Sequence, residues 1–202
     1  MKLLGTGGSP YVRKVRVAFA EKGIPYDYVV ARASSAEVGA ANPLAKIPVL
    51  IRDDGRALYD SAVIVEYLDG LTPANRLIPE ALDARIEVKR WEALGDGIMD
   101  ATVAISHDER LPLEKRQPPE WYARQQKKID AGLAAMEREL GGRAFCFGAG
   151  FSLADIACGA ALGYLDRVLP KFVWRPDHAG LCRHAEVLAA RESFKTTLPD
   201  PA

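Results

Sequence analysis

Apolar positions follow two different spacings along the chain. Within the first 78 residues KLLG (2–5) and IPVLI (47–51) are short apolar runs, YDYVVAR (26–32) alternates, and RALY (56–59) leads into a helical pattern, which predicts four short strands. SPYVRKVRVAFAEKG (9–23) and DSAVIVEYLDG (60–70) predict the helices between and after them. In the first, Val12, Val15 and Phe19 fall at i, i+3 and i+7 while Arg13, Lys14, Arg16 and Glu21 lie elsewhere, so one stripe is buried. The order is β-α-β, then a hairpin, then α, closed by Gly70. Beyond NRLIPEALDAR (75–85) the strand-like runs stop. Trp91, Leu94, Ile98, Ala101 and Ile105 step by three and four, as do Ile129, Leu133, Met136 and Leu140, which predicts two long amphipathic helices. PPEW (118–121) breaks the first from the second, because proline lacks the N–H and clashes in a helix interior, and Gly141-Gly142 end the second. A third helix opens at FSLADIA, with Ser152 and Asp155 spaced as a capping box and Phe151 and Ile156 as a hydrophobic staple. These residues are read as helix initiation and assigned no chemistry. The division falls near residues 75 to 83, giving an α/β domain over 1–78 and an all-helical domain over 84–202.

Composition narrows the classes without choosing one. The 202 residues are 49% hydrophobic and 27% charged, as in ordinary soluble domains. Lys+Arg and Asp+Glu are equal at 27, so no global field favours nucleic acid or an anionic membrane, and neither is expected as a partner. No apolar run approaches a membrane span and MKLLGTGG is no signal-peptide core. Cys146, Cys158 and Cys182 are odd in number and widely spaced, which fits a reducing, cytoplasmic compartment. Neither they nor His107, His178 and His184 have metal-ligand spacing, and no metal is expected. GTGG lacks the lysine and Ser/Thr of a phosphate loop. SHDERLPLEKR reads as solvated surface.

Three places carry candidate chemistry. Ser9-Pro10 follows Gly5, Gly7 and Gly8 at the mouth of the first helix. Serine at N-cap and proline at N1 are ordinary helix starts, but the same hydroxyl can donate a hydrogen bond to an anion held there. Ile47-Pro48 stands just ahead of an apolar strand, where a cis bond would make a tight turn and expose the Ile47 backbone. Asp60-Ser61 opens the second helix with a carboxylate, a hydroxyl and free amides, a group suited to an amino-acid head: amides and Ser61 for its carboxylate, Asp60 for its ammonium. Read alone, Asp60 or Ser61 is a cap.

Taken in order, SPYVRKVR, NPLAKIPVLI, LYDSAVIVEYL, RLIPE and FSLADIA resemble the cytosolic glutathione transferases over essentially the whole chain, and among them the short bacterial transferase-like members. The resemblance implies a thioredoxin-like N-terminal domain, an all-α C-terminal domain, a homodimer, and glutathione bound between the domains. It makes Ser9 the hydroxyl facing the glutathione thiol, Pro48 the family's cis-proline and Ile47 the backbone partner of the cysteinyl part, with Asp60 and Ser61 on the γ-glutamyl head. Where many members place a tyrosine on the first strand or its loop, this chain has Gly5 and Thr6, so Thr6 is a rival to Ser9. The basic residue for the glycyl carboxylate has no clear match; Lys46 and Arg32 are candidates. Redox members carry cysteine where this chain has Ser9, and a hydroxyl cannot form a mixed disulfide. The expected activity is therefore transfer: a glutathione thiolate attacking a small apolar electrophile, with Met99 and Val103 of the first long helix lining its pocket. The alternative is a non-catalytic glutathione-binding or protein-interaction module of the same fold.

Overall fold

The first strand, β1 (Lys2–Gly5), lies between β2 (Asp27–Val30), which runs parallel to it, and β3 (Val49–Ile51), which runs antiparallel; β4 (Ala57–Leu58) completes a sheet in the order β2-β1-β3-β4. The computed structural model describes residues 1–199. Within it the chain forms two compact units, one of Met1–Ala81 together with the segment from Ala190 onward, the other of Leu82–Ala189.

In the first unit α1 (Pro10–Lys22) connects β1 to β2, α2 (Ala36–Ala41) connects β2 to β3, and α3 (Ser61–Leu71) follows β4. Alternation along β1 separates the two faces of the sheet. Leu4, paired with Val49, clusters with Ala31 and with Val38 of α2. Leu3, paired with Leu50, points the other way with Gly5, where a Cβ would lie 2.4 Å from Val12 Cγ2 of α1. Gly5 thus lets α1 close onto the strand. α1 ends on Gly23 in the left-handed conformation (φ 63°), with its N–H on the Ala20 carbonyl and that of Ile24 on Phe19, a closure that glycine makes without strain.

The buried Lys22 ammonium joins this helix to the end of α3. It donates to Asp69 Oδ1 at 2.9 Å and to the carbonyls of Thr72 at 2.9 Å and Ala74 at 2.6 Å. Asp69 in turn accepts the N–H groups of Leu77 at 2.8 Å and Ile78 at 3.1 Å. Charge and hydrogen bonds are satisfied together, the condition under which a buried pair is tolerated; removing one partner of such a pair costs about 3–5 kcal/mol.

The second unit holds α4 (Leu82–Asp108), α5 (Pro119–Leu140), α6 (Leu153–Val168) and α7 (Ala179–Ala189). The expected apolar steps face inward: Trp91, Ile98, Ala101 and Ile105 on α4 and Ile129, Leu133, Met136 and Leu140 on α5 are all buried. Pro119 is the first residue of α5, so PPEW starts that helix, and Gly141 ends it at φ 55°. At Gly95 of α4 a Cβ would lie 2.9 Å from the Ala157 carbonyl oxygen of α6, and at Gly132 of α5 2.7 Å from Ile98. Small residues set the close approach. The Ser152–Asp155 capping box is present, and the Asp155 carboxylate also accepts the Cys146 N–H at 2.8 Å. Glu137 of α5 accepts the first N–H groups of α7, from Gly180 and Leu181, both at 2.8 Å.

Several elements differ from the sequence expectation. Gly70 does not close α3, which runs to Leu71 and caps at Thr72, because the Lys22 and Asp69 contacts hold its last turn. The six-residue α2 gives too short a pattern to register. The segment after Ala189, expected with the helical half, belongs to the first unit as α8 (Glu192–Lys195): Phe194 is buried beneath the Arg13 guanidinium, 5.4 Å from its ring, and Arg191 pairs with Glu21 at 2.8 Å.

Candidate functional site

The sheet register brings the three candidate segments to one end of the first unit. Continuing the β1–β3 pairing one residue past Leu4–Val49 sets Gly5 opposite Pro48, and continuing β3–β4 past Leu50–Leu58 sets Pro48 opposite Asp60. The exit of β1, the entry to β3 and the exit of β4 therefore share an edge, and α1 and α3 both open from it. Their helix dipoles make that edge favourable to anions.

At the first position Thr6 to Ser9 form a turn, closed by the Ser9 N–H on the Thr6 carbonyl at 3.0 Å. Ser9 is the N-cap of α1: its Oγ accepts the Val12 N–H at 3.4 Å and its carbonyl accepts the Arg13 N–H at 3.0 Å. That cap bond uses a lone pair of the hydroxyl and leaves its proton available to donate. Capping and anion binding are compatible at the same atom. Thr6, half-buried, enters the turn through its backbone.

At the second position the Ile47–Pro48 peptide is cis, with Pro48 buried and Ile47 half-buried. The Asn42 side chain anchors the preceding loop, donating to the Lys46 carbonyl at 3.0 Å and accepting from the Leu44 N–H at 3.0 Å. At the third, Asp60 is exposed and caps α3, its Oδ1 accepting the Ala62 N–H at 3.1 Å, and Ser61 beside it is buried. The side chains of Lys46 and Arg32 are exposed. On α4, Met99 is fully buried and Val103 half-buried. Met99 thus lies on the packed stripe rather than off it, because α4 packs against both α5 and α6 and its apolar face is wider than a single row.

A second cluster, in the helical unit, has no counterpart in the sequence expectation. Cys146, Cys158 and His184 are all buried, and their Sγ, Sγ and ring-nitrogen atoms lie within 4.8 Å of one another. His184 Nε2 is 3.4 Å from Cys146 Sγ and 3.3 Å from Asp155 Oδ1. Hydrogen bonding to Cys158 and burial hold the Cys146 thiol well above the ordinary thiol range. The three residues come from a loop, α6 and α7, with no short spacing among them for a motif to register.

The sheet order, with α1 and α2 crossing between its strands and α3 following it, defines a thioredoxin-like unit, and a unit of four helices follows. Sequence comparison agrees with that architecture: the glutathione S-transferase N-terminal domain matches residues 8–71 and the glutathione S-transferase C-terminal domain residues 119–186. The chain belongs to the glutathione S-transferase family. The uncharacterized GST-like protein YibF of Escherichia coli K12 is 35% identical over 206 residues, covering all of both chains. A glutathione S-transferase of Methylobacillus flagellatus, solved with glutathione bound, is 46% identical, covers 98% of this chain and 99% of its own, and superposes with a TM-score of 0.94. One from Methylobacterium radiotolerans, in complex with glutathione sulfonate, is 39% identical over 100% of this chain and 95% of its own, with a TM-score of 0.93.

Proposed function

We propose that the protein is a glutathione transferase in which Ser9 holds the thiol of bound glutathione as a thiolate for attack on a small apolar electrophile. The observation that carries this reading is the Ser9 hydroxyl at the mouth of α1, its oxygen engaged by the Val12 N–H and its proton free. Relatives solved with glutathione or glutathione sulfonate, with TM-scores above 0.9, support the choice of ligand.

The energetics suffice. A free thiol ionises near pH ~8.5, and lowering that by about two units requires ~2.7 kcal/mol of preference for the anion. A partly buried helix N-terminus contributes up to ~2 kcal/mol and a hydrogen bond to a charged group ~1.5–3 kcal/mol. In this arrangement glutathione spans the shared edge: its sulfur at Ser9, its cysteinyl backbone on Ile47 beside Pro48, and its γ-glutamyl head on Asp60 and Ser61. Lys46 or Arg32 takes the glycyl carboxylate. Of Met99 and Val103, Val103 keeps surface for the electrophile. The reaction forms a carbon–sulfur bond and expels a leaving group or protonates an adduct; the thiol proton leaves when glutathione binds. We further infer a cytoplasmic homodimer acting in detoxification.

Titrating glutathione into the protein in two buffers of different ionisation enthalpy tests the reading. Binding with release of a substantial fraction of a proton at neutral pH is expected. In Ser9→Ala the bound thiol should titrate about one to two units higher, the equivalent of one charge-assisted hydrogen bond, and conjugation should fall accordingly. Full conjugating activity in Ser9→Ala would overturn the role of Ser9. Binding without proton release would favour a non-catalytic binder.

A further inference from the structure

We propose that Cys146, Cys158, His184 and Asp155 form a buried binding site for a thiophilic divalent cation of the zinc class, which ties the α5–α6 loop to α6 and α7. The convergence of donor atoms carries the proposal. Zinc–sulfur bonds of about 2.3 Å and zinc–nitrogen bonds of about 2.0 Å set the edges of a tetrahedral site at roughly 3.3–3.8 Å. The Cys146 Sγ to His184 Nε2 distance of 3.4 Å and the His184 Nε2 to Asp155 Oδ1 distance of 3.3 Å already have that length. The outer limit of 4.8 Å among the three N and S atoms requires a contraction of at most about 1 Å.

The donor set selects the metal. Two sulfurs and an imidazole favour zinc and other soft or borderline cations over magnesium or calcium, which prefer oxygen. Asp155 lies outside the 4.8 Å set but adjoins it, its Oδ1 3.3 Å from His184 Nε2. It is the carboxylate that moves into the fourth position, since Oδ1 accepts the Cys146 N–H at 2.8 Å and retains a second lone pair, while Oδ2 stays on the Ser152 N–H at 2.9 Å and hydroxyl at 3.1 Å. The capping box thus doubles as the outer support of the site. Binding is balanced by the two thiols giving up their protons: one dication enters, two protons leave, and nothing is oxidised or reduced. Entry is through the loop carrying Cys146, whose flanking residues 141–144 and 148–150 are exposed. His184 Nδ1 is buried without a hydrogen-bond partner. A metal-bound histidine usually donates that N–H to an acceptor, so affinity should fall below that of a zinc site with complete outer support.

Cobalt(II) titration of the full-length protein, stripped with chelator and kept in reductant, reads the site directly. The expected result is one cobalt per chain, with thiolate-to-metal charge-transfer absorption and tetrahedral d–d bands, displaced by zinc, and a zinc-dependent rise in the thermal midpoint. Cys146→Ser and Cys158→Ser should each lose the charge-transfer intensity of one thiolate and weaken zinc binding at least tenfold. Cys182→Ser, which removes the cysteine outside the cluster, should change neither. A folded wild-type protein without the charge-transfer band overturns the proposal whatever the variants do. So does a band of undiminished intensity in Cys146→Ser, one that is lost in Cys182→Ser, or a Cys146–Cys158 disulfide found by mass spectrometry in the reduced preparation.

Discussion

A single hydroxyl at a helix mouth can serve two needs, and Ser9 illustrates why a cap and a functional group are hard to separate in a sequence. Ser-Pro at a helix start was legible, as was Asp-Ser at the next, since capping preferences are local. The cysteine–histidine cluster was not legible, because its members meet only after a loop, α6 and α7 have packed. Another pair of that long-range kind is Tyr122 and Asp108. The Tyr122 hydroxyl donates a short hydrogen bond to Asp108 Oδ2, which also accepts the Gln117 N–H at 3.0 Å. Losing that donation and facing a carboxylate both disfavour the phenolate, so Tyr122 ionises above the usual phenol value. Its folded value is raised, so the contribution to stability is complete below about pH 10, where the unfolded phenol titrates, and is lost as pH rises through the folded value. Ultraviolet titration of the wild-type protein against Tyr122→Phe isolates this one phenol. In Asp108→Asn it should titrate closer to the ordinary value.

Between elements, glycine means opposite things at two nearby positions of α4. Gly95 faces Ala157, where an added Cβ would meet backbone at 2.9 Å, whereas at Gly97 it would meet nothing within 4 Å. Gly97→Ala should therefore stabilise the helix by about 0.5–1 kcal/mol through backbone entropy alone. Gly95→Ala gains the same propensity but wedges α4 from α6, and overpacking of this kind costs about 1–3 kcal/mol, so its denaturation midpoint should fall while that of Gly97→Ala rises. Periodicity could not separate the two, since both sit in one helical pattern. The same limit applies to Met99: spacing located the helix, but only the presence of two packing partners widened its buried face. The four strands and α1, α3, α4, α5 and α6 were legible because each carries a period or a capping signal of its own. The short α2 and α8 take their definition from what they pack against.

At the scale of the whole chain, the last segment belongs with the first. Arg191 and Ser193 both donate to Glu21 of α1, at 2.8 Å and 2.5 Å, and Phe194 is buried against Arg13. Removing everything after Ala189 should lower the stability of the unit carrying Ser9, and Phe194→Ala alone should cost about 3–5 kcal/mol if the cavity does not collapse; chemical denaturation followed by hydrogen exchange at α1 measures both. Composition and spacing gave no sign of this return, because a four-residue helix has no period and its partners are some 170 positions away in the chain. It also imposes an order on synthesis. Chains fold from the N-terminus as they leave the ribosome, yet this unit begins to emerge first and is finished last, after the entire helical unit has been made. A prematurely terminated chain would carry an intact helical unit and an unfinished first unit.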